Sequence, residues 1–319
     1  MKITPVIVTI LLFVSCSRQV PVPKTPAPQA QFTITPPPVF NGGEAFGFLQ
    51  AQTAFGPRNP GSTGHQKCLD YLVNQLAHAV DTVSRQEFTA DGYDGEKLAL
   101  TNVFAQVNPK AGNRILLIAH WDTRPRADQE KDPAKQQQPI LGANDGASGV
   151  AILLEIARLM KHAPPAAGID FLLVDGEDYG KEGDQANYLL GARYFAQHLP
   201  PGYRPAFGIL LDMVGDSNLE LLREPTSVQL APDVVSLVWS TAKSLGVYQF
   251  TDADQRPVLD DHVPLNEAGI RTIDLIDFQY PDASNRYWHT LEDTPDKCSA
   301  ASLEAVGKVL LAVLYGQPA

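Results

Sequence analysis

His120, Asp145, the adjacent pair Glu177 and Asp178, Asp212 and His289 are residue types that bind metals or move protons. Each stands at or just past the end of an apolar run: Ile115 to Ala119, the turn Leu141 to Asn144, Ile169 to Val174, Phe207 to Leu211, and Ile270 to Phe278 with the loop after it. Most of these runs are short, continuous and rich in Ile, Leu and Val, which is the pattern of buried parallel strands. In an open α/β sheet the crevice lies beyond the carboxyl ends of the strands, so these side chains converge there. The chemistry such a set supports is metal-assisted proton transfer.

Each motif has a plainer alternative. His120-Trp121-Asp122 places an imidazole and a carboxylate on one side of an extended backbone, a triplet that is often merely structural. Gly142-Ala143-Asn144-Asp145-Gly146 is a small-residue turn that sets Asp145 at a helix N-terminus, as a ligand or as an ordinary cap. The neighbours Glu177 and Asp178 repel each other unless a cation holds one and a proton or hydrogen bond relieves the other, a division that suits one metal ligand and one general base; a charged surface turn is the alternative. Asp212 sits in an apolar strand, where an unpaired carboxylate is expensive and needs a metal, a proton or a donor. Asp260-Asp261-His262 and Trp288-His289-Thr290 flank the last strand, and either alone could be a loop.

The elements that position these residues follow from periodicity. Helical spacing is expected over Glu44 to Phe55, from Thr63 with Cys68, Leu69, Leu72, Val73 and Leu76 on one face, and over Gly146 to His162, Tyr188 to Leu199, Pro232 to Leu245 and Ala300 to Tyr315. Val80 to Phe88 and Leu98 to Val107 have strand character. Alternating strands and helices predict an α/β fold with a mostly parallel sheet covered on both faces. The polar stretch Thr123 to Pro139 is expected as a surface insertion near the cleft mouth.

At 319 residues and 44 % hydrophobic, the chain is long enough for one large domain. Its net charge of −11 and the absence of a Lys/Arg cluster argue against nucleic acid as a partner. The N-terminus has the form of an export signal, with Lys2, a short apolar core from Val6 to Val14, and Ser15-Cys16. Leu12 to Cys16 resembles a bacterial lipobox, which implies lipidation of Cys16 and a signal peptide over 1–16. Ser17 in place of Asp favours, by the same resemblance, the outer membrane, facing the periplasm. Residues 17–41, with Pro36-Pro37-Pro38, suit a stiff tether, leaving 42–319 as the catalytic domain. Cys68 and Cys298 either pair in the oxidising envelope or remain separate buried thiols.

The succession Gly56-Pro57-Arg58 with Pro60-Gly61-Ser62, His120-x-Asp122, Gly142 to Asp145, Glu177-Asp178, Leu211 to Gly215, Asp260-Asp261-His262 and Trp288-His289-Thr290 resembles the zinc aminopeptidase superfamily over nearly all of residues 43–316. Within it the chain is most similar to the glutaminyl cyclases, on the first Asp of Asp260-Asp261-His262, on Trp288 before His289, and on the run Gln185 to Arg193. The resemblance implies a three-layer αβα fold with a central, mostly parallel mixed sheet, and conversion of N-terminal Gln of peptides or proteins to pyroglutamate with release of ammonia. It implies one zinc ion on Asp145, Asp178 and His289, with Glu177 shuttling the proton, Asp212 and Asp260 as its acidic partners, and Trp288 lining the glutamine pocket. A lipid-anchored monomer acting on peptide N-termini is the resulting expectation.

Three departures concern the pocket: Asp178 stands where animal cyclases have Glu, Tyr179 to Asp184 contains no Trp, and Asp274 replaces a His. Two rivals remain. With His120 and Asp212 as added ligands and Asp145 bridging, the chain would be a two-zinc aminopeptidase. A binding module that has kept the fold without turnover is the other, disfavoured by retention of Glu177 and all three ligands.

Overall fold

A computed structural model describes residues 36–181 and 183–319; the signal segment with Cys16 and most of the tether lie outside them. The apolar runs form strands β3 (Arg114–His120), β4 (Gly168–Val174), β5 (Phe207–Asp212) and β8 (Thr272–Ile276), and the two segments before them form β1 (Thr82–Asp91) and β2 (Lys97–Val107). The sheet order is β1-β2-β4-β3-β5-β8. Pairings β4–β3, β3–β5 and β5–β8 are parallel, whereas β1–β2 and β2–β4 are antiparallel. Every residue of β4 is buried, as a central strand covered on both faces requires.

Alternation along the strands divides the core. Ile115, Leu117 and Ala119 face a large cluster built with α1 (Gly42–Thr53), α2 (Thr63–Ala79), α3 (Ala147–Met160), α6 (Pro232–Ser244) and α8 (Ala300–Tyr315). Leu116 and Ile118 face the other way, against Phe195 of α4 (Leu190–Gln197) and Leu265 of α7 (His262–Glu267). The result is the expected three-layer αβα arrangement.

Several elements were not legible in the sequence. Short β6 (Leu221–Arg223) and β7 (Phe250–Asp254) pair in parallel as a separate ribbon. Helix α5 (Pro225–Leu230) begins on a proline, with the Glu224 carboxylate accepting from the backbone N–H of Thr226 (2.9 Å) and Ser227 (2.6 Å). These elements and α7 are too short to display a period. Thr123 to Pro139 is only partly a surface insertion: Thr123, Arg124, Arg126 and Ala127 are buried, with Thr123 Oγ1 accepting from Arg58 N, Arg124 donating to Asp178, and Arg126 donating to the Tyr93 hydroxyl and the Tyr179 carbonyl. Phe40, in the stretch read as tether, is buried against α8 at Gly307, so the folded unit takes in the end of that stretch. Cys68 and Cys298 are both buried and free.

The approach of α3 to the sheet sets the cleft. Gly149 packs so closely that a Cβ there would run into the Leu211 carbonyl oxygen of β5. Ser148 Oγ accepts from Val214 N (3.1 Å), and Asn144 Oδ1 accepts from Gly215 N (2.7 Å), fastening the helix start to the end of β5. Gly149→Ala should therefore lower stability by about 1–3 kcal/mol through overpacking, read as a lower urea midpoint at unchanged slope.

Candidate active site

The ends of the parallel strands deliver the acids. His120 closes β3, Asp212 closes β5, and Glu177 and Asp178 lie just past β4, where Gly176 takes φ 72° to turn the chain. Asp145 precedes α3, and His289 lies in the loop after β8. Gly146, with φ 103°, is the cap position of α3 and makes no side-chain capping bond, so Asp145 is placed in the cleft instead. His289 itself has φ 56°, and Met213, just after Asp212, has φ 48°; both are uncommon for residues with a side chain and occur where a site dictates the backbone.

Two groups of potential ligands share Asp145. His120, Asp145 and Asp212 form one, and Asp145, Asp178 and His289 the other, each with donor atoms within 4.8 Å of one another. In the first, His120 Nε2 is 3.0 Å from Asp212 Oδ1, in a hydrogen bond, and 3.2 Å from Asp145 Oδ1. In the second, His289 Nε2 is 3.3 Å from Asp178 Oδ1 and 3.6 Å from Asp145 Oδ2, and Asp178 Oδ2 is buried without a hydrogen-bond partner among the described residues. Two carboxylates, one imidazole and an unpartnered buried oxygen suit a divalent cation.

Residues beyond the candidate ligands and proton carriers hold this set in place. Asp122 accepts from the backbone N–H of Glu177 (3.1 Å) and of Asp178 (3.4 Å). Asp293 accepts from Asn144 N (2.8 Å), Asp145 N (3.2 Å) and the Tyr280 hydroxyl (2.9 Å). Buried Arg58 donates to the carbonyls of Trp121 (3.0 Å), Leu141 (2.9 Å) and Gly142 (2.8 Å), tying the end of β3 to the Asp145 turn. Arg124 donates to Asp178 Oδ1 (2.7 Å), to both oxygens of Asp128 (2.9 and 2.5 Å) and to the Tyr188 hydroxyl (2.9 Å). The only prior signals were Asp122 in the His-x-Asp triplet and Arg58 in Gly-Pro-Arg; Arg124 and Asp293 carried none.

Beside the carboxylates lies a cavity of about 200 Å³, whose lining includes the acids Glu177, Asp212 and Asp260 together with Tyr188, Ile276, Phe278 and Trp288. Trp288 stacks on His289, with ring centroids 3.7 Å apart. Tyr188 lines this cavity, whereas no described residue of 179–184 does.

Residues 102–314 match the model of peptidase family M28. The chain belongs to that family. The M28 chain superposes on the crystal structure of Bacteroides thetaiotaomicron glutaminyl cyclase bound to N-acetylhistamine with a TM-score of 0.85 and 40 % identity, covering 88 % of this chain and 100 % of that one. A Zn-dependent exopeptidase from Parabacteroides distasonis gives 0.85 and 37 % over the same shares. The glutaminyl-peptide cyclotransferase of Gloydius blomhoffii is 25 % identical over 290 residues, 79 % of this chain and 75 % of its own length.

Electrostatics separates the adjacent pair in this M28 site. Burial drives the Glu177 carboxyl well above its ordinary value; His120 opposes this, and Asp178, Asp260 and Asp261 add to it. Burial also pushes Asp178 up, but His289 and Arg124 outweigh it and hold that carboxyl below the usual range. Asp260 is raised well above its ordinary value by burial, with Asp212 and Asp261 adding to the effect. One acid of the pair is thus suited to be an anion and the other to hold a proton.

Two outcomes follow. Asp122→Ala leaves two buried N–H groups without acceptors and should cost about 2–5 kcal/mol, measured by denaturant unfolding. Cation binding to the metal-free protein should release protons, since a positive charge lowers carboxyl pKa values that the fold has raised. Calorimetry in buffers of different ionisation enthalpy reads that release directly.

Proposed function

We propose that this protein is a metal-dependent glutaminyl-peptide cyclotransferase, converting the N-terminal glutamine of peptides or proteins to pyroglutamate with release of ammonia. The observation that carries this is the correspondence with bacterial glutaminyl cyclases at 38–40 % identity along nearly the whole of those chains, joined to a cavity that pairs a protonatable Glu177 with an aromatic wall.

The residues suited to hold zinc are Asp145, Asp178 and His289, leaving a coordination position open. When bound there, zinc supplies Lewis acidity toward the side-chain carbonyl of the glutamine. Everything else is the work of this chain. Trp288, Phe278 and Ile276 enclose the glutamine side chain and exclude water, so that the substrate's own α-amine is the nearest nucleophile. Glu177, as carboxylate, takes a proton from that amine as its nitrogen bonds to Cδ; it then returns the proton to the side-chain nitrogen as the Cδ–N bond breaks and ammonia leaves. Asp260 and Asp212 line the same cavity, where they can hold the α-amine by hydrogen bonds.

A single ion is the reading we take from the likeness to the bacterial glutaminyl cyclases, with His120 and Asp212 hydrogen-bonded to each other at 3.0 Å beside it. We also place the enzyme in the cell envelope, anchored through Cys16 at the outer membrane, on the apolar N-terminal core and lipobox-like Leu12 to Cys16.

Mass spectrometry of a Gln-initiated peptide should show loss of one ammonia with no residue removed, and elemental analysis one zinc per chain. Rapid cleavage of Leu- or Ala-arylamides with two zinc ions per chain would instead make it an aminopeptidase. Glu177→Gln should lower kcat roughly 100- to 10,000-fold with zinc content retained, because Glu177 moves protons and holds no metal.

A further inference from the structure

The acidic cavity does not end at its aromatic wall. Phe278 also lines two outer grooves, of about 540 Å³ and about 530 Å³, and Trp288 separates the cavity from the second of these. Arg256 lines both grooves and is exposed. Among the described residues it has no ion-pair partner, since nearby Asp254 is engaged by Arg223 at 3.0 Å. Lys131 and Arg286 add two further cations to the rim, the Arg286 guanidinium lying over the Tyr287 ring at 4.6 Å. The acids there are Glu292 and Glu130, the latter with one carboxylate oxygen held by Leu291 N at 3.1 Å, so cations outnumber acids along the second groove by three to two.

This arrangement is unusual for a chain of net charge −11: five carboxylates line the inner cavity, and an unengaged guanidinium stands just outside it. An extended peptide advances about 3.3 Å per residue, so the two residues after an N-terminal glutamine extend about 7 Å outward, past side chains that line the cavity and the grooves alike. An arginine in such a groove attracts a carboxylate and repels a cation, with little effect on bond-making.

We propose that Arg256 forms an anion-accepting subsite for the peptide segment following the N-terminal glutamine, so that substrates with Asp or Glu in the two positions after it are favoured over those with Lys or Arg. This rests on the cyclase function given above, and it adds a preference for acidic N-terminal sequences that the glutamine pocket alone does not impose.

The test uses the purified zinc-loaded enzyme and C-terminally amidated tripeptides: Gln-Ala-Ala, Gln-Glu-Ala, Gln-Ala-Glu, Gln-Lys-Ala and Gln-Ala-Lys. At low ionic strength kcat/KM for the better Glu peptide should exceed that of its Lys counterpart about three- to fivefold, a difference carried by KM. The ratio should approach one near 1 M salt, where screening shortens to about 3 Å. Arg256→Ala should flatten the ratio and Arg256→Glu invert it, with circular dichroism confirming that both variants fold. Equal kcat/KM across the series in the wild type, or a preference that survives Arg256→Ala, overturns the subsite while leaving the cyclase function intact. Turnover of none of the peptides removes the cyclase function and the subsite together.

Discussion

Like-charged carboxylates crowded into a buried cleft are the constraint on which this structure is arranged. Asp145, Glu177, Asp178, Asp212 and Asp260 all line one cavity, and each is buried or nearly so. Burial leaves them little solvation by water, so each needs a cation, a donor or a proton. The fold resolves the problem unevenly. Asp212 receives a hydrogen bond from His120, Asp178 receives Arg124, and Glu177 and Asp260 are left as groups that keep a proton more readily than ordinary acids. That unevenness suits the roles proposed for these residues: ligands must be anions, whereas a proton shuttle must exchange its proton easily.

A scaffold of buried charge and backbone hydrogen bonds enforces the separation. Asp122 grips the two N–H groups of the Glu177–Asp178 turn, Asp293 grips those of Asn144 and Asp145, and Arg58 ties together the carbonyls between them. Below the β4 turn, Asp175 accepts from Thr101 N (2.7 Å) and pairs with His65 (2.9 Å). Such bonds fix the backbone from which ligands project, so small displacements at a strand end are resisted by several partners at once. The left-handed conformation of His289 belongs to the same economy, since its ring is clamped by the stack against Trp288.

Polarity changes along the cleft, from carboxylates inside to Arg256, Lys131 and Arg286 at the rim, with Trp288 and Phe278 lining both. A positively charged α-amine is drawn inward and a carboxylate further along the peptide is drawn to the rim, so the field orients a peptide N-terminus before contact is made.

How much was legible from residues alone depended on range. Apolar runs, helix periods and small-residue turns are local, so the parallel strands, the major helices and the positions of His120, Asp145, Glu177, Asp178, Asp212 and His289 at element ends could be read from the chain itself. The separation of Glu177 from Asp178 was foreseen as a necessity of adjacent charges. What local pattern could not decide was who stands beside whom. Arg124 on Asp178, Asp293 under Asp145, the His120–Asp212 bond and the continuation of the cleft to Arg256 join residues dozens to more than a hundred positions apart. Elements as short as α5, α7, β6 and β7 exist only because neighbours hold them. Sequence determined the side chains and where each element would end; the tertiary structure decided which of them meet, because charge and hydrogen bonding act through space at a few ångströms, whatever the separation along the chain.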